Sequence, residues 1–137
     1  MKSIMITTLI LLSVSLSSIA SAHSMLPVGN VDWAVGGDFH LKTYTLENKF
    51  NYPAVFKVEV FNKDWTPATG WEVKKDRFKL LPKSKANLRF KFIMESPQRK
   101  LIVCSSLAEI GVKNEKSTQI SRVCSRLIIN SRNSFSE

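Results

Sequence analysis

Histidine, cysteine and glycine are all scarce in this chain, and their scarcity closes off most chemistry. His23 and His40 are the only histidines, Cys104 and Cys124 the only cysteines, and five glycines serve 137 residues. Two thiols and two widely separated histidines make a poor tetrahedral zinc set. No Cys-x-x-Cys pair offers a reactive dithiol. A serine or cysteine nucleophile needs a paired base, and His40 is the one internal candidate. No glycine-rich phosphate loop occurs: Gly36-Gly37 is a turn signal with no helical pattern after it. Most carboxylates alternate with lysines, the pattern of solvated outer faces. The sequence therefore points to binding and away from an enzyme.

Long hydrophobic runs are also missing. The longest, Ile4 to Leu16, falls short of the roughly 20 residues that span a bilayer. It follows the basic start Met1-Lys2 and precedes Ala20-Ser21-Ala22, whose small residues suit signal peptidase. Residues 1–22 are thus expected to be a cleaved signal peptide, leaving no transmembrane segment and making His23 the first residue of the exported chain. The remaining 115 residues suffice for one domain. In an oxidising compartment, Cys104 and Cys124 are expected to pair, closing a loop of about 20 residues for about 3 kcal/mol.

Acidic residues are outnumbered. Lys2 is the only charge in the leader, so the exported part carries 19 basic and 11 acidic side chains. Such an excess resists self-association and favours acidic partners. Nucleic acid is set aside, because export removes the chain from it and the cations are spread along strands.

What the chain has in abundance is alternation, with no 3.6-residue apolar period over three turns. Phe56, Val58 and Val60 share one face of a strand near Val55–Phe61, and Leu88, Phe90 and Phe92 one face of Asn87–Ile93. Other strands are expected at Phe39–Asn48, Trp71–Val73, Phe78–Leu81, Lys100–Leu107 and Ile120–Ile129. Asn62 to Gly70 and Gly111 to Thr118 read as loops, and 131–137 as a flexible tail. About seven short antiparallel strands over 23–130, with one disulfide, predict an all-β, immunoglobulin-like sandwich; a small barrel is the alternative. The inward Phe and Val residues, with Trp65 or Trp71, would fill the layer between the sheets.

Phe78-Lys79-Leu80-Leu81-Pro82, followed after a basic turn by Leu88-Arg89-Phe90, is similar to the Phe-x-Leu-x-Pro edge of PapD-like periplasmic chaperones. The chain resembles the N-terminal domain of that family from near Phe39 to Ile129. The resemblance implies a periplasmic protein that binds a pilus or secretion-apparatus subunit, and no catalysis. One branch of the family carries a cysteine in each of its last two strands, as Cys104 and Cys124 would be. The family donates its last strand to a subunit, main-chain bonds giving affinity and alternate side chains giving register. By that resemblance Val123, Leu127 and Ile129, with Arg126 beside them, are the candidate partner-binding residues; an ordinary core-facing strand is the other reading of the same pattern. Two features depart from the family: there is room for one domain, and no Lys or Arg lies between His23 and Leu41. Arg122 or Arg126 would supply only half of the family's basic clasp.

A second reading starts from the new N-terminus. An amine and imidazole on His23, joined by His40, make a chelate that copper tolerates well. A small periplasmic copper-binding protein is therefore the alternative function.

Overall fold

The computed structural model describes residues 23–34, 37–110, 115–116 and 121–131. The signal peptide expected at 1–22, most of the Gly111–Thr118 loop, Ile120 and the tail after Ser131 lie outside them. Ten strands follow one another, with no helix among the described residues: β1 (His23–Leu26), β2 (Gly29–Ala34), β3 (Phe39–Asn48), β4 (Ala54–Asn62), β5 (Trp71–Val73), β6 (Arg77–Leu80), β7 (Lys85–Ile93), β8 (Gln98–Ile110), β9 (Glu115–Lys116) and β10 (Arg122–Ser131). Accordingly, no described helix is long and apolar enough to cross a membrane.

Two sheets share the strands. One runs β1-β3-β7-β5 and the other β2-β10-β8-β4-β6, with β9 beside β8. Alternation decides which side chains enter the space between them. Tyr44 and Leu46 from β3, Phe90 and Phe92 from β7, Phe56 and Val58 from β4, and Val103 from β8 are essentially fully buried there. The inward faces expected from Phe56-x-Val58-x-Val60 and Leu88-x-Phe90-x-Phe92 are those observed. Aromatic rings knit the layer: Tyr44 meets Phe90 edge-on at 5.5 Å, and Phe92 stacks on Phe90 at 5.9 Å. Trp71 is the tryptophan that joins this layer, 6.1 Å from Phe90. Trp65 instead stands half-exposed outside the sandwich, beside Phe61.

Polar side chains close the loops over this core. Asn48 is completely buried, its Nδ2 within 3.0–3.2 Å of the carbonyls of Tyr52, Leu80 and Leu81, while Oδ1 accepts from the Phe50 amide. Arg99 turns its guanidinium inward and donates to the carbonyls of Thr69, Gly70 and Ile93. Gly70 adopts φ +67°, and a Cβ there would strike the Glu95 side chain. The β6–β7 turn carries Pro82 followed by Lys83 at φ 57°, closed by Ser84 N–H donating to Leu81 O at 3.2 Å.

The observed sandwich has more strands than expected and is not wholly antiparallel. β1 and β2, separated by a cis Leu26–Pro27 bond, precede the first expected strand at Phe39. β1 pairs antiparallel with β3, and the chain then crosses so that β2 lies parallel to β10. The one described part of the Gly111–Thr118 loop, β9, pairs with Glu109 and Ile110. Ser131, placed in the tail by sequence, belongs to β10; it is buried, with its amide donating to Pro97 O at 2.7 Å.

Candidate protein-binding edge

The last strand holds the candidate site, and its two neighbours define it. β8 pairs antiparallel with β10 from Arg122 to Asn130, whereas β2 covers only Arg126 to Ser131. Among the described residues, no strand therefore pairs with the far side of Arg122–Ser125. Cys104 and Cys124 face each other directly across β8 and β10 and are joined by a disulfide, their Cα atoms 4.1 Å apart. So close a spacing marks a non-hydrogen-bonded pair, whose main-chain groups point away from the partner strand. The alternation agrees: Ser121 O accepts from Leu107 N–H at 2.9 Å, so residues of odd number face β8. Arg122 and Cys124 thus turn their N–H and C=O groups to the side that no described strand pairs with, where β1 and Pro27 pack close to Ser121 and Ser125.

The side chains divide between the two faces of the sheet. Val123 is half-buried against the core, and the Ser125 hydroxyl donates to Pro27 O at 2.7 Å. Leu127 and Ile129 are fully buried in the domain's own core, in the stretch of β10 that is flanked on both sides. In this state they are not a contact surface; the exposed group of that stretch is Arg126, on the outer face. Arg122 lies over the Phe61 ring, 5.5 Å from its centroid. Farther along β10, at Arg126–Ile128, lies a shallow groove of about 320 Å³ in which Trp65, Ile102 and Ile128 are rimmed by Lys63, Lys100 and Arg126.

The two histidines are held apart. His23 pairs in register with Asn48 at one end of β3, while His40 belongs to the other end, roughly 25 Å along the strand. His23 is fully buried against Phe56, with Nε2 3.1 Å from Ser105 O and 3.0 Å from Ser105 Oγ. A carbonyl only accepts, so Nε2 carries the proton and Nδ1 accepts from Ser121 Oγ at 3.2 Å. Burial lowers the His23 pKa despite the bond to Ser105. His40 Nε2 is 2.8 Å from the Asp32 carboxylate, which also holds Lys42 and the Asn30 amide. The two imidazoles envisaged for copper are thus in separate polar networks. No group of three or more His, Cys, Asp or Glu among the described residues is placed to hold a metal ion.

No protein-family model and no curated protein matches the sequence. Solved structures do match the fold. The SafB chaperone, in a Salmonella enterica complex with SafA pilin, aligns with TM-score 0.65 at 18% identity over 80% of this chain and 54% of its own. The E. coli chaperone DraB aligns with TM-score 0.64 at 17% identity, over 80% of this chain and 55% of its own. The fold is PapD-like. The same PapD-like architecture appears in a domain of human CEP192, with TM-score 0.61 at 10% identity over 81% of this chain and 85% of that one. The chain thus spans about half the length of the pilus chaperones it matches. Within this PapD-like sandwich, the open edge at Arg122 and Cys124 is what sequence reasoning missed. It depends on where a parallel neighbour begins, and no local pattern encodes that.

Proposed function

We propose that this chain is a periplasmic PapD-like binding protein, a chaperone or accessory component of pilus, secretion or conjugation assembly. In this reading it captures a partner polypeptide by adding a strand beside Arg122–Ser125. The observation that carries it is the edge of β10 at Arg122–Ser125, unpaired among the described residues, with the β10 register locked by the Cys104–Cys124 bond. Strand addition draws affinity from main-chain hydrogen bonds. Arg122 and Cys124 each offer a donor and an acceptor, at about 1 kcal/mol net per bond. So short an edge needs side-chain contacts as well. Val123 on one face is half-buried beside it, and the Trp65–Ile128 groove begins next to it at Arg126 on the other. The complex of SafB with a pilin supports a polypeptide as the partner class.

Arg122→Pro tests the reading. Proline removes an outward N–H without breaking the β8 ladder, and edge positions tolerate it. Capture of partner proteins from periplasm, identified by mass spectrometry, is expected to fail for Arg122→Pro and persist for Arg122→Ala. Undiminished capture by a folded Arg122→Pro protein refutes strand addition.

A further inference from the structure

The side of the sandwich opposite β2 and β10 ends in β5 and β6, each the last strand of its sheet. β5 pairs with β7 only at Phe90–Phe92, so the edge of β7 from Lys85 to Arg89 is uncovered by any described strand, as is the outer edge of β6. Between these two open edges lies a groove of about 350 Å³. Its floor is apolar and recessed, with Leu88 buried and Val73 and Phe78 half-buried. Its walls are Lys74, Lys75, Lys79 and Arg89, all exposed, and no carboxylate among the described residues lines it.

The cations of this groove come from one basic stretch of the sequence that folds into β5, β6 and β7 and the turns between them. Eight of the chain's 20 Lys and Arg fall between Lys74 and Lys91, against one acid, Asp76. Arg77 is paired with Glu109 at 2.8 Å and Lys85 with Glu47 at 4.0 Å. Among the described residues no carboxylate forms an ion pair with Lys74, Lys75, Lys79 or Arg89; Glu72 and Asp76 are exposed near by without doing so. Four like charges around one apolar floor repel one another until an anion joins them.

We propose that this groove docks an acidic polypeptide segment in extended conformation, its carboxylates meeting Lys74, Lys75, Lys79 and Arg89 and its alternate apolar side chains reaching the floor. Open strand edges supply main-chain partners that only a polypeptide can use. A bilayer would touch the lysines without reaching the recessed floor, and no exposed aromatic lines the groove to stack a nucleotide base.

The experiment uses the full chain, with fluorescence anisotropy of a labelled peptide of about ten residues alternating Glu and Val. A Gln–Val peptide is its neutral counterpart. The Glu–Val peptide is expected to bind and to lose at least about tenfold in affinity to the Lys79→Glu/Arg89→Glu protein, or on raising salt severalfold. Arg122→Pro is expected to bind it as wild type does, which separates this groove from the β10 edge. Circular dichroism and thermal melting verify that the charge-reversed protein is folded. Equal binding of the Gln–Val peptide overturns the proposal, as does unchanged affinity in the folded charge-reversed protein or no binding of the Glu–Val peptide. Displacement of the peptide by phosphatidylglycerol vesicles or single-stranded DNA at lower concentration overturns it in favour of those ligands.

Discussion

His23 and Asp32 sit at opposite ends of the sandwich, and both resist protonation for different reasons. Burial is the main cause at His23, and it holds the pKa below the ordinary imidazole value. In the unfolded chain this histidine takes up a proton near pH 6.5, so the unfolded state binds more protons just below that pH and stability falls as pH drops. Burial alone would raise the Asp32 pKa, but hydrogen bonds from His40 and Lys42 outweigh it and the carboxyl titrates below its ordinary range. Its stabilisation is intact above roughly pH 4 and is lost as pH falls through the depressed native value. The melting temperature is thus expected to decline in two windows, and His23→Gln to flatten the upper one alone. A His23→Gln profile parallel to wild type between about pH 7 and pH 5 contradicts this assignment. Leu127 and Ile129 obey packing rather than titration. Replacing both with serine is expected to cost about 5 kcal/mol or more, by urea denaturation, because each leaves a cavity in the core. Loss of partner capture by that pair would report unfolding and not a lost contact.

Strands with one buried face were legible because their pattern is local. Phe39–Asn48 and Trp71–Val73 have the bounds that alternation and turn residues suggest, and β4, β7 and β8 differ from expectation only at their ends. β1 and β2 were not legible. In β2 the apolar residues Val31 and Trp33 face outward, while Asn30 and Asp32 point between the sheets. That reverses the usual signal, and Gly29 and Gly36-Gly37 read as breakers around it. Its partner, β10, is distant in sequence, Gly29 pairing with Arg126. Of the candidate site, the disulfide followed from the expected compartment and the cysteine count; the open edge did not. Because Cys104 faces Cys124 directly, a slip of one residue, which would turn Leu127 and Ile129 outward, is blocked. Replacing both cysteines with alanine is expected to lower the unfolding free energy by about 3 kcal/mol, read from the shift in urea midpoint. An unchanged midpoint would mean the ladder holds its register unaided.

Distant pairings dominate the molecule, from His23 with Asn48 to Gly29 with Arg126. Loop closure must precede the contacts that reward it, so refolding is expected over milliseconds to seconds. Stopped-flow tryptophan fluorescence complete within microseconds would contradict that topology. The two flanks also differ in character: Lys and Arg crowd the β5–β6 side, whereas none occurs between His23 and Leu41 on the β1–β2 side. The β5–β6 groove and the β10 edge lie on opposite flanks, so ligands of the two would not compete. β2 has one more effect. A guest strand laid along Arg122 and growing toward Ser131 meets Gly29, where the berth is already taken by the chain itself. The leading segment thereby meters how far any guest can advance in that direction: trimming it would lengthen the berth, and extending its pairing would close it.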